Sequence, residues 1–143
     1  MLFYLAPMEG ITGYIVRNAY AHYFPYIDKY FTPFIPAVKK MSKKIKRDLA
    51  AENNEQIRLV PQLSGNRAES FIMMIRGFTS VNLNFGCPSG TVVSKRKGAG
   101  FLEEPEELEM LLEEVLENSP LAVSVKTRVG IKDPDEWEAL CGV

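Results

Sequence analysis

The residues best suited to chemistry stand in the segment 81–88, Val-Asn-Leu-Asn-Phe-Gly-Cys-Pro. Its alternation predicts a strand with apolar residues on one face and Asn82 and Asn84 on the other. Because a strand buried in a parallel sheet is normally a continuous run of Val, Ile and Leu, the two asparagines require polar partners. Cys87 follows this strand directly, between a glycine and a proline. The pattern therefore predicts a reactive thiol at the end of a polar strand face.

Three roles are open to Cys87 from its local sequence: general acid, nucleophile and metal ligand. An ordinary free thiol is mostly protonated near neutral pH, so it can donate a proton as well as attack. A metal site is the weakest option, because no second cysteine or histidine stands at ligand spacing. A lone cysteine is often a buried structural residue. The position after Asn-Phe-Gly at a strand end favours the reactive interpretation.

Two other predicted strands become polar on one face toward their carboxyl ends. Gln62 lies in the predicted strand 58–64, and Lys126 and Arg128 lie in the predicted strand 121–129. Amide and cationic side chains suit a planar, polar ligand, and lysine and arginine offer only hydrogen-bond donors. The alternative is that the amides only satisfy neighbouring backbone groups.

Five predicted strands alternate with predicted helices along the chain. The strands are expected at 3–8, 29–35, 58–64, 80–86 and 121–129. The helices are expected after Thr12, at 42–53, 66–77 and 105–117, and from Pro134 onward. The stretch 89–100, with three glycines, is expected to be a long loop.

Two helix starts carry side chains that are typical of caps. Thr12 is the predicted N-cap of the first helix, and Asn66 with Glu69 gives the third a capping-box-like start. The first helix is predicted from a stripe of apolar residues at helical spacing. The stripe consists of Ile15, Val16, Ala19, Tyr20 and Tyr23.

The alternation of strands and helices indicates an α/β fold with a parallel sheet. An open doubly wound sheet and a (β/α)8 TIM barrel both fit that alternation. Polar residues converge at the carboxyl ends of three strands, and no glycine-rich dinucleotide turn follows the first strand, so the barrel is the prediction. A complete barrel needs roughly 250 residues. We therefore expect 1–143 to be one unit that holds the first five strands and their helices, truncated before strands six to eight.

Composition limits the class of protein. The chain has 143 residues, a formal charge of −1 and two cysteines, so we expect neither a disulfide scaffold nor a general affinity for nucleic acid. No signal peptide or membrane span is predicted from the amino terminus, and a cytoplasmic location is the expectation. Basic residues cluster at 39–47 and 95–97. Either cluster could be a solvated face or a phosphate-binding surface.

Four short motifs together resemble one enzyme family. They are Ala-Pro-Met-Glu-Gly-Ile-Thr at 6–12, Val-Pro-Gln-Leu-Ser-Gly at 60–65, Leu-Asn-Phe-Gly-Cys-Pro-Ser at 83–89 and Val-Lys-Thr-Arg-Val-Gly at 125–130. In this order and spacing they resemble the flavin-dependent tRNA-dihydrouridine synthases. Each motif alone is a weak signal, but the four together extend over essentially the whole chain.

The resemblance implies an FMN-binding barrel followed by a helical tRNA-binding domain. It implies reduction of the C5–C6 double bond of a uridine in tRNA, with NADPH recharging the flavin. By motif, Pro7, Met8 and Glu9 would line the flavin ring, and Gln62 and Lys126 would hydrogen-bond its polar edge.

The resemblance also assigns residues to the substrate. Cys87 would be the general acid that protonates one uracil carbon while the other receives hydride, and Asn84 and Arg128 would contact the nucleotide. The base would have to leave the RNA stack to be reached. The basic clusters at 39–47 and 95–97 would suit phosphate contacts near the mouth.

Some features depart from the family pattern. Gly13 and Asn82 stand where acidic residues are common in the family, and the family's later flavin contacts and helical domain have no counterpart here. We therefore expect this chain alone to bind FMN poorly and to be inactive. Two alternatives are an FMN barrel acting on a free pyrimidine, similar to dihydroorotate dehydrogenase, and a non-catalytic half-barrel that self-associates through exposed strand edges.

Overall fold

The computed structural model describes residues 1–142 as a parallel α/β structure. The strands are β1 (Tyr4–Leu5), β2 (Lys29–Phe31), β3 (Ile35–Pro36), β4 (Leu59–Val60), β5 (Gln62–Ser64), β6 (Ser80–Asn84) and β7 (Ala122–Lys126). The α-helices are α1 (Tyr14–Tyr23), α2 (Lys43–Leu49), α3 (Ala68–Ile75), α4 (Gly90–Val93), α5 (Pro105–Glu117) and α6 (Trp137–Leu140). Short 3₁₀ helices occupy Ala51–Asn53, Gly98–Phe101 and Pro134–Glu136.

Every strand pair is parallel, and the pairs form the orders β1-β2-β4 and β3-β5-β6-β7. Pro61 separates β4 from β5, and Pro33 lies between β2 and β3; neither proline can donate a ladder hydrogen bond. The seven short strands thus follow the five predicted strand segments in chain order, which confirms the parallel α/β prediction. Within residues 1–142 the sheet does not close, so the complete barrel stays a prediction.

The main core lies between the outer face of the sheet and helices α3 and α5. Leu63, Phe71, Ile75, Leu83 and Val115 each have 0% exposure. The apolar face of β6 packs outward into this core, as its alternation predicts. The polar face of the same strand is thereby directed to the opposite side of the sheet.

The first helix forms as predicted, but its apolar stripe does not pack into the core. Its apolar stripe is exposed, with Ile15 at 68% and Tyr23 at 74%, and the only buried residue of α1 is Arg17. Polar contacts from Arg17 to α2 and to the following turn attach the helix instead. The predicted helix is therefore confirmed at Tyr14–Tyr23, and within residues 1–142 it is attached by polar contacts rather than by its apolar stripe.

Both predicted N-cap residues are wrong by one position, because the residue that follows each of them is the N-cap. Gly13 is the N-cap of α1, while the Thr12 hydroxyl bonds to the backbone of Met8. The free amide of Tyr14 donates instead to the Asp48 carboxylate at 2.7 Å, so an acidic side chain from α2 caps α1. Arg67 is the N-cap of α3, without a side-chain cap.

The stretch 89–100, expected to be a loop, contains α4 and the start of the 3₁₀ helix Gly98–Phe101. Asn66 connects to this stretch by donating from its Nδ2 to the Lys95 carbonyl at 3.1 Å. The predicted helix at 42–53 is shorter: α2 ends at Leu49, and a 3₁₀ turn follows. Within residues 1–142, no helix has the length and apolar character needed to cross a membrane.

Candidate active site

A pocket of about 210 Å³ lies at the carboxyl edge of the sheet. Because the strands are parallel, the loops that follow them meet at this edge. Seven of the eight predicted site residues line the pocket; Arg128 does not. The lining residues are Pro7, Met8, Glu9, Phe34, Gln62, Asn84, Gly86, Cys87, Pro88 and Lys126.

A row of polar side chains crosses the sheet below the pocket. Gln62, Asn82 and Ser124 are register neighbours on three adjacent strands. Gln62 Nε2 donates to Asn82 Oδ1 at 2.6 Å, and Asn82 Nδ2 donates to Ser124 Oγ at 3.0 Å. Each buried amide thus has a partner, as a stable sheet requires. The Oε1 atom of Gln62 has no hydrogen bond from residues 1–142, which leaves an acceptor at the pocket.

Asn84 fixes the backbone of the proposed proton donor. Its Oδ1 accepts hydrogen bonds from the amides of Gly86 and Cys87, each at 3.0 Å. Asn84 is 5% exposed; its bond to Gly86 is buried and its bond to Cys87 is partly buried. Asn84 is therefore a positioning residue for Cys87, which is a role that the strand pattern did not predict. Its predicted contact with a nucleotide stays a prediction.

A second support for Cys87 comes from the 3₁₀ helix Gly98–Phe101. The amide of Ala99 donates to the Cys87 carbonyl at 3.0 Å. Gly98 has φ +54°, and a Cβ at this position would lie 2.7 Å from the Cys87 carbonyl oxygen. Only glycine tolerates both the backbone angle and the close approach. In the sequence, only the Gly-Ala-Gly triplet at 98–100 indicates this close contact with Cys87, and a glycine-rich stretch also fits a loop.

The Cys87 thiol is half-buried and free. It stands on the segment between β6 and α4, which passes close to the end of β7: a Cβ on Gly86 would lie 3.1 Å from the Thr127 carbonyl oxygen. The same Cβ would lie 3.5 Å from Cγ of Arg128. Arg128 thus packs beside the pocket rather than in its lining, and its substrate role stays a prediction.

The first loop is folded around the backbone of Met8. Thr12 Oγ1 accepts from the Met8 amide at 2.8 Å and donates to the Met8 carbonyl at 3.1 Å. Arg17 Nη1 then donates to the Thr12 carbonyl at 2.8 Å. This chain of contacts holds the segment that carries Pro7, Met8 and Glu9 at the pocket.

Three lining residues were not predicted: Phe34, Gly86 and Pro88. Phe34 lies in the break between β2 and β3, where Pro33 interrupts the strand and lets the following residue face the pocket. Pro88 completes the wall next to Cys87. The only available signal for Phe34 was the proline within an otherwise β-rich segment.

The charges at the pocket are those of Glu9 and Lys126. Neither makes an ion pair within 4.0 Å in the part of the chain that the structure describes. The ammonium group of Lys126 is therefore able to donate to an electron-rich ligand atom. Across residues 1–142, no group of three His, Cys, Asp or Glu side chains is placed to hold a metal ion.

Comparison with known proteins gives matching results along nearly the whole chain. The family model for dihydrouridine synthase (Dus) matches residues 4–141. A Staphylococcus epidermidis protein (strain ATCC 12228 / FDA PCI 1200), named probable tRNA-dihydrouridine synthase, is 32% identical over 94% of this chain and 43% of its own length.

Two further relatives extend this result. The Staphylococcus aureus (strain COL) protein of the same name is 30% identical over 95% of this chain and 43% of its own length. The tRNA-dihydrouridine(20/20a) synthase of Vibrio parahaemolyticus is 37% identical over 66% of this chain and 31% of its own length. The chain thus spans less than half the length of these curated relatives. It belongs to the dihydrouridine synthase family.

Proposed function

We propose that this chain carries the catalytic wall of an enzyme that reduces uridine in tRNA to 5,6-dihydrouridine. The observation that supports the proposal most directly is the convergence of Pro7, Met8, Glu9, Gln62, Asn84, Cys87 and Lys126 around one pocket. These residues come from four separate motifs of the sequence. Membership of the dihydrouridine synthase family and the names of the relatives support the same reaction.

The donor set of the pocket fits a flavin. Pro7, Met8 and Phe34 provide an apolar wall of the kind that accepts a planar ring, and Gln62 and Lys126 provide polar groups for its edge. When bound, FMN would supply the hydride, with NADPH as the reductant that restores it. The buried Gln62–Asn82 hydrogen bond keeps the Gln62 amide in one orientation before any ligand arrives.

Cys87 would hold the proton for the uracil carbon that does not receive the hydride. Two backbone bonds to Asn84 and one from Ala99 fix the segment that bears the thiol. A general acid has to be within hydrogen-bond reach of the atom it protonates, so a fixed backbone favours the transfer. Arg128, packed beside Gly86, would approach the nucleotide from the β7 side.

The proposed architecture is the first five strands of a (β/α)8 barrel. In residues 1–142, β1 and β7 each pair on one side only, so the pocket walls described here come from one arc of strands. We therefore expect the isolated 143-residue chain to bind FMN weakly and to show little turnover. Titration of the chain with FMN, followed by flavin fluorescence, measures this directly; a tight stoichiometric complex would contradict the expectation.

The reaction can be tested in a chimera. Residues 4–141 would replace the matching segment of the Staphylococcus epidermidis relative, and dihydrouridine would be measured in tRNA by mass spectrometry. We expect Cys87→Ala in the chimera to lower the rate by about 10²–10⁴-fold while flavin absorbance is retained, the range typical for loss of a general acid. Full activity of that variant would refute the role of Cys87.

Two other functions remain to be distinguished from this one. Offering free pyrimidines to the same chimera tests a dihydroorotate dehydrogenase-like activity, and turnover of these in place of tRNA would favour it. Self-association is suggested by the apolar residues exposed near the sheet edges, such as Phe3 at 49% and Val125 at 43%. Sedimentation of the 143-residue chain as a monomer would count against that association.

A further inference from the structure

A second cleft, of about 540 Å³, lies next to the pocket. The two share Glu9 and Phe34 in their linings. The cleft runs between the first loop with the start of α1 on one side and α2 on the other. It is therefore continuous with the proposed active site, and apart from these two residues its lining has no assigned role in the reaction.

One wall of the cleft is apolar and aromatic. Ile11 and Ile15 line it and are 54% and 68% exposed, and the half-buried ring of Tyr14 lies between them in sequence. The backbone of Tyr14 is fixed by its bond to Asp48. An aromatic ring on a fixed backbone offers a surface for stacking at a small cost in conformational entropy.

The opposite wall is cationic. Lys44 and Arg47 of α2 line the cleft, and both are exposed. They belong to a block at 39–47 that contains six basic residues and no acidic residue: Lys39, Lys40, Lys43, Lys44, Lys46 and Arg47. Within residues 1–142, none of the six makes a salt bridge. Asp48 also lines the cleft, and its carboxylate is paired with Arg17.

We infer that this cleft binds the single-stranded RNA that flanks the uridine to be reduced. Lys44 and Arg47 bind a phosphate, and an unstacked neighbouring base packs on Tyr14. The inference rests on the proposed function, because a base that leaves its stack draws the adjacent nucleotides to the mouth of the pocket. Glu9, at the junction of cleft and pocket, repels phosphate and so places it on the α2 side.

The composition of the cleft favours RNA over other anionic partners. Proteins that bind single strands combine a positively charged groove with aromatic side chains on which bases stack. A small anion would not need the exposed apolar wall. An acidic protein segment would not need a cleft that opens into a pocket for a planar ring.

The test uses the 143-residue chain and an unmodified, fluorescently labelled tRNA transcript, with anisotropy as the readout. The matched pair of variants is Lys44→Gln/Arg47→Gln and Lys43→Gln/Lys46→Gln. Each removes two exposed charges from α2, but only the first pair lines the cleft. We expect at least a tenfold weaker Kd for the first and less than a threefold change for the second.

Two further readouts make the test specific. The plot of log affinity against log salt should become shallower by about 0.7 for the cleft pair, as for one phosphate of a single strand. Tyr14→Ala should weaken binding of a single-stranded RNA about tenfold and leave binding of duplex DNA unchanged, whereas Tyr14→Phe should retain the affinity. Circular dichroism melting confirms that each variant is folded.

Equal losses for the two charge pairs would mean diffuse electrostatic attraction and would overturn the inference. The absence of RNA binding by the unaltered chain at low salt would do the same. The proposed function is judged separately in the chimera. Normal uridine reduction with Lys44→Gln/Arg47→Gln refutes the cleft alone, whereas intact cleft-dependent RNA binding without any reduction refutes the reaction alone.

Discussion

Arg17 Nη1 lies 3.0 Å from Asp48 Oδ2, and the Arg17 side chain is fully buried. The guanidinium also donates to the carbonyls of Thr12 and Asp48 and to Asn54 Oδ1. Burial lowers the pKa of Arg17, and its attraction to Asp48 opposes that decrease. The same carboxylate caps α1 through Tyr14, so one ion pair joins α1, α2 and the loop that reaches the pocket.

We expect Asp48→Asn to lower the free energy of unfolding by about 3 kcal/mol. The substitution leaves the Arg17 charge buried without its counterion. Removing one partner of a buried ion pair is more destabilising than replacing both partners with apolar residues. The Nε of Arg17 already lacks a hydrogen-bond partner within residues 1–142, so this atom does not offset the loss of the ion pair. Urea denaturation followed by circular dichroism measures the change.

The control for this substitution is an exposed ion pair of the same kind. Arg67 and Glu69 lie 3.2 Å apart with side chains 71% and 69% exposed, so Glu69→Gln should change the stability by less than about 1 kcal/mol. Equal effects of Asp48→Asn and Glu69→Gln would contradict the structural role of the Arg17–Asp48 pair.

Asn84→Ala should release the segment that bears Cys87. Two amide donors lose their acceptor, which should cost about 2 kcal/mol, and the Cys87 thiol should react faster with maleimide. Because the chain has only two cysteines, the rate can be measured in a Cys141→Ser background. Asn84→Asp keeps the acceptor and should stay within about 1 kcal/mol of the original stability. An Asn84→Ala variant with unchanged thiol reactivity would argue against positioning by Asn84.

Gly98→Ala should destabilise the protein by at least about 2 kcal/mol. Alanine is disfavoured at φ +54°, and its Cβ would lie 2.9 Å from Val92 Cγ1 as well as close to the Cys87 carbonyl. Gly90→Ala is the matched control, since a Cβ there meets nothing within 4 Å at the start of α4. It should be neutral or slightly stabilising. Urea denaturation measures the stability of both variants. Similar stabilities would contradict the close packing of Gly98 on Cys87.

Local alternation was sufficient to predict the order of strands and the convergence of polar faces. Each polar face has period two, and the observed register places Gln62 beside Asn82 and Asn84 beside Lys126. Most of the pocket lining could be predicted because the loops that carry it follow parallel strands and must meet at one edge.

Contacts between distant segments could not be predicted in the same way. The buried Arg17 lies outside the apolar stripe of α1 and has no periodic signature, so the sequence pattern does not show that α1 is attached through this residue. The cap of α1 comes from Asp48, 34 residues away, and no local pattern identifies it. Gly98 supports Cys87 because the segment after α4 folds back against the Cys87 carbonyl. In sequence this segment resembles a loop, so the contact could not be predicted.

In the loop before α6, Glu136 accepts backbone hydrogen bonds from Ile131, Lys132 and Asp133. These bonds lower the pKa of Glu136, with the Ile131 amide as the largest cause. A carboxyl group with a lowered pKa in the folded state stabilises that state fully above its unfolded pKa, and the contribution is lost as pH falls through the folded value. The loop should therefore keep its structure through the pH range in which an ordinary glutamate titrates, and open below it.

Trp137 is the only tryptophan and directly follows Glu136, so its fluorescence reports on this loop. In a titration from pH 7 to pH 3, we expect the emission to change only below the range in which an ordinary glutamate titrates. Glu136→Gln should abolish this transition, whereas Glu138→Gln, on the other side of the tryptophan, should leave it in place. Far-UV circular dichroism on the same samples separates loop opening from global unfolding. An unchanged transition in Glu136→Gln would show that another group controls the loop.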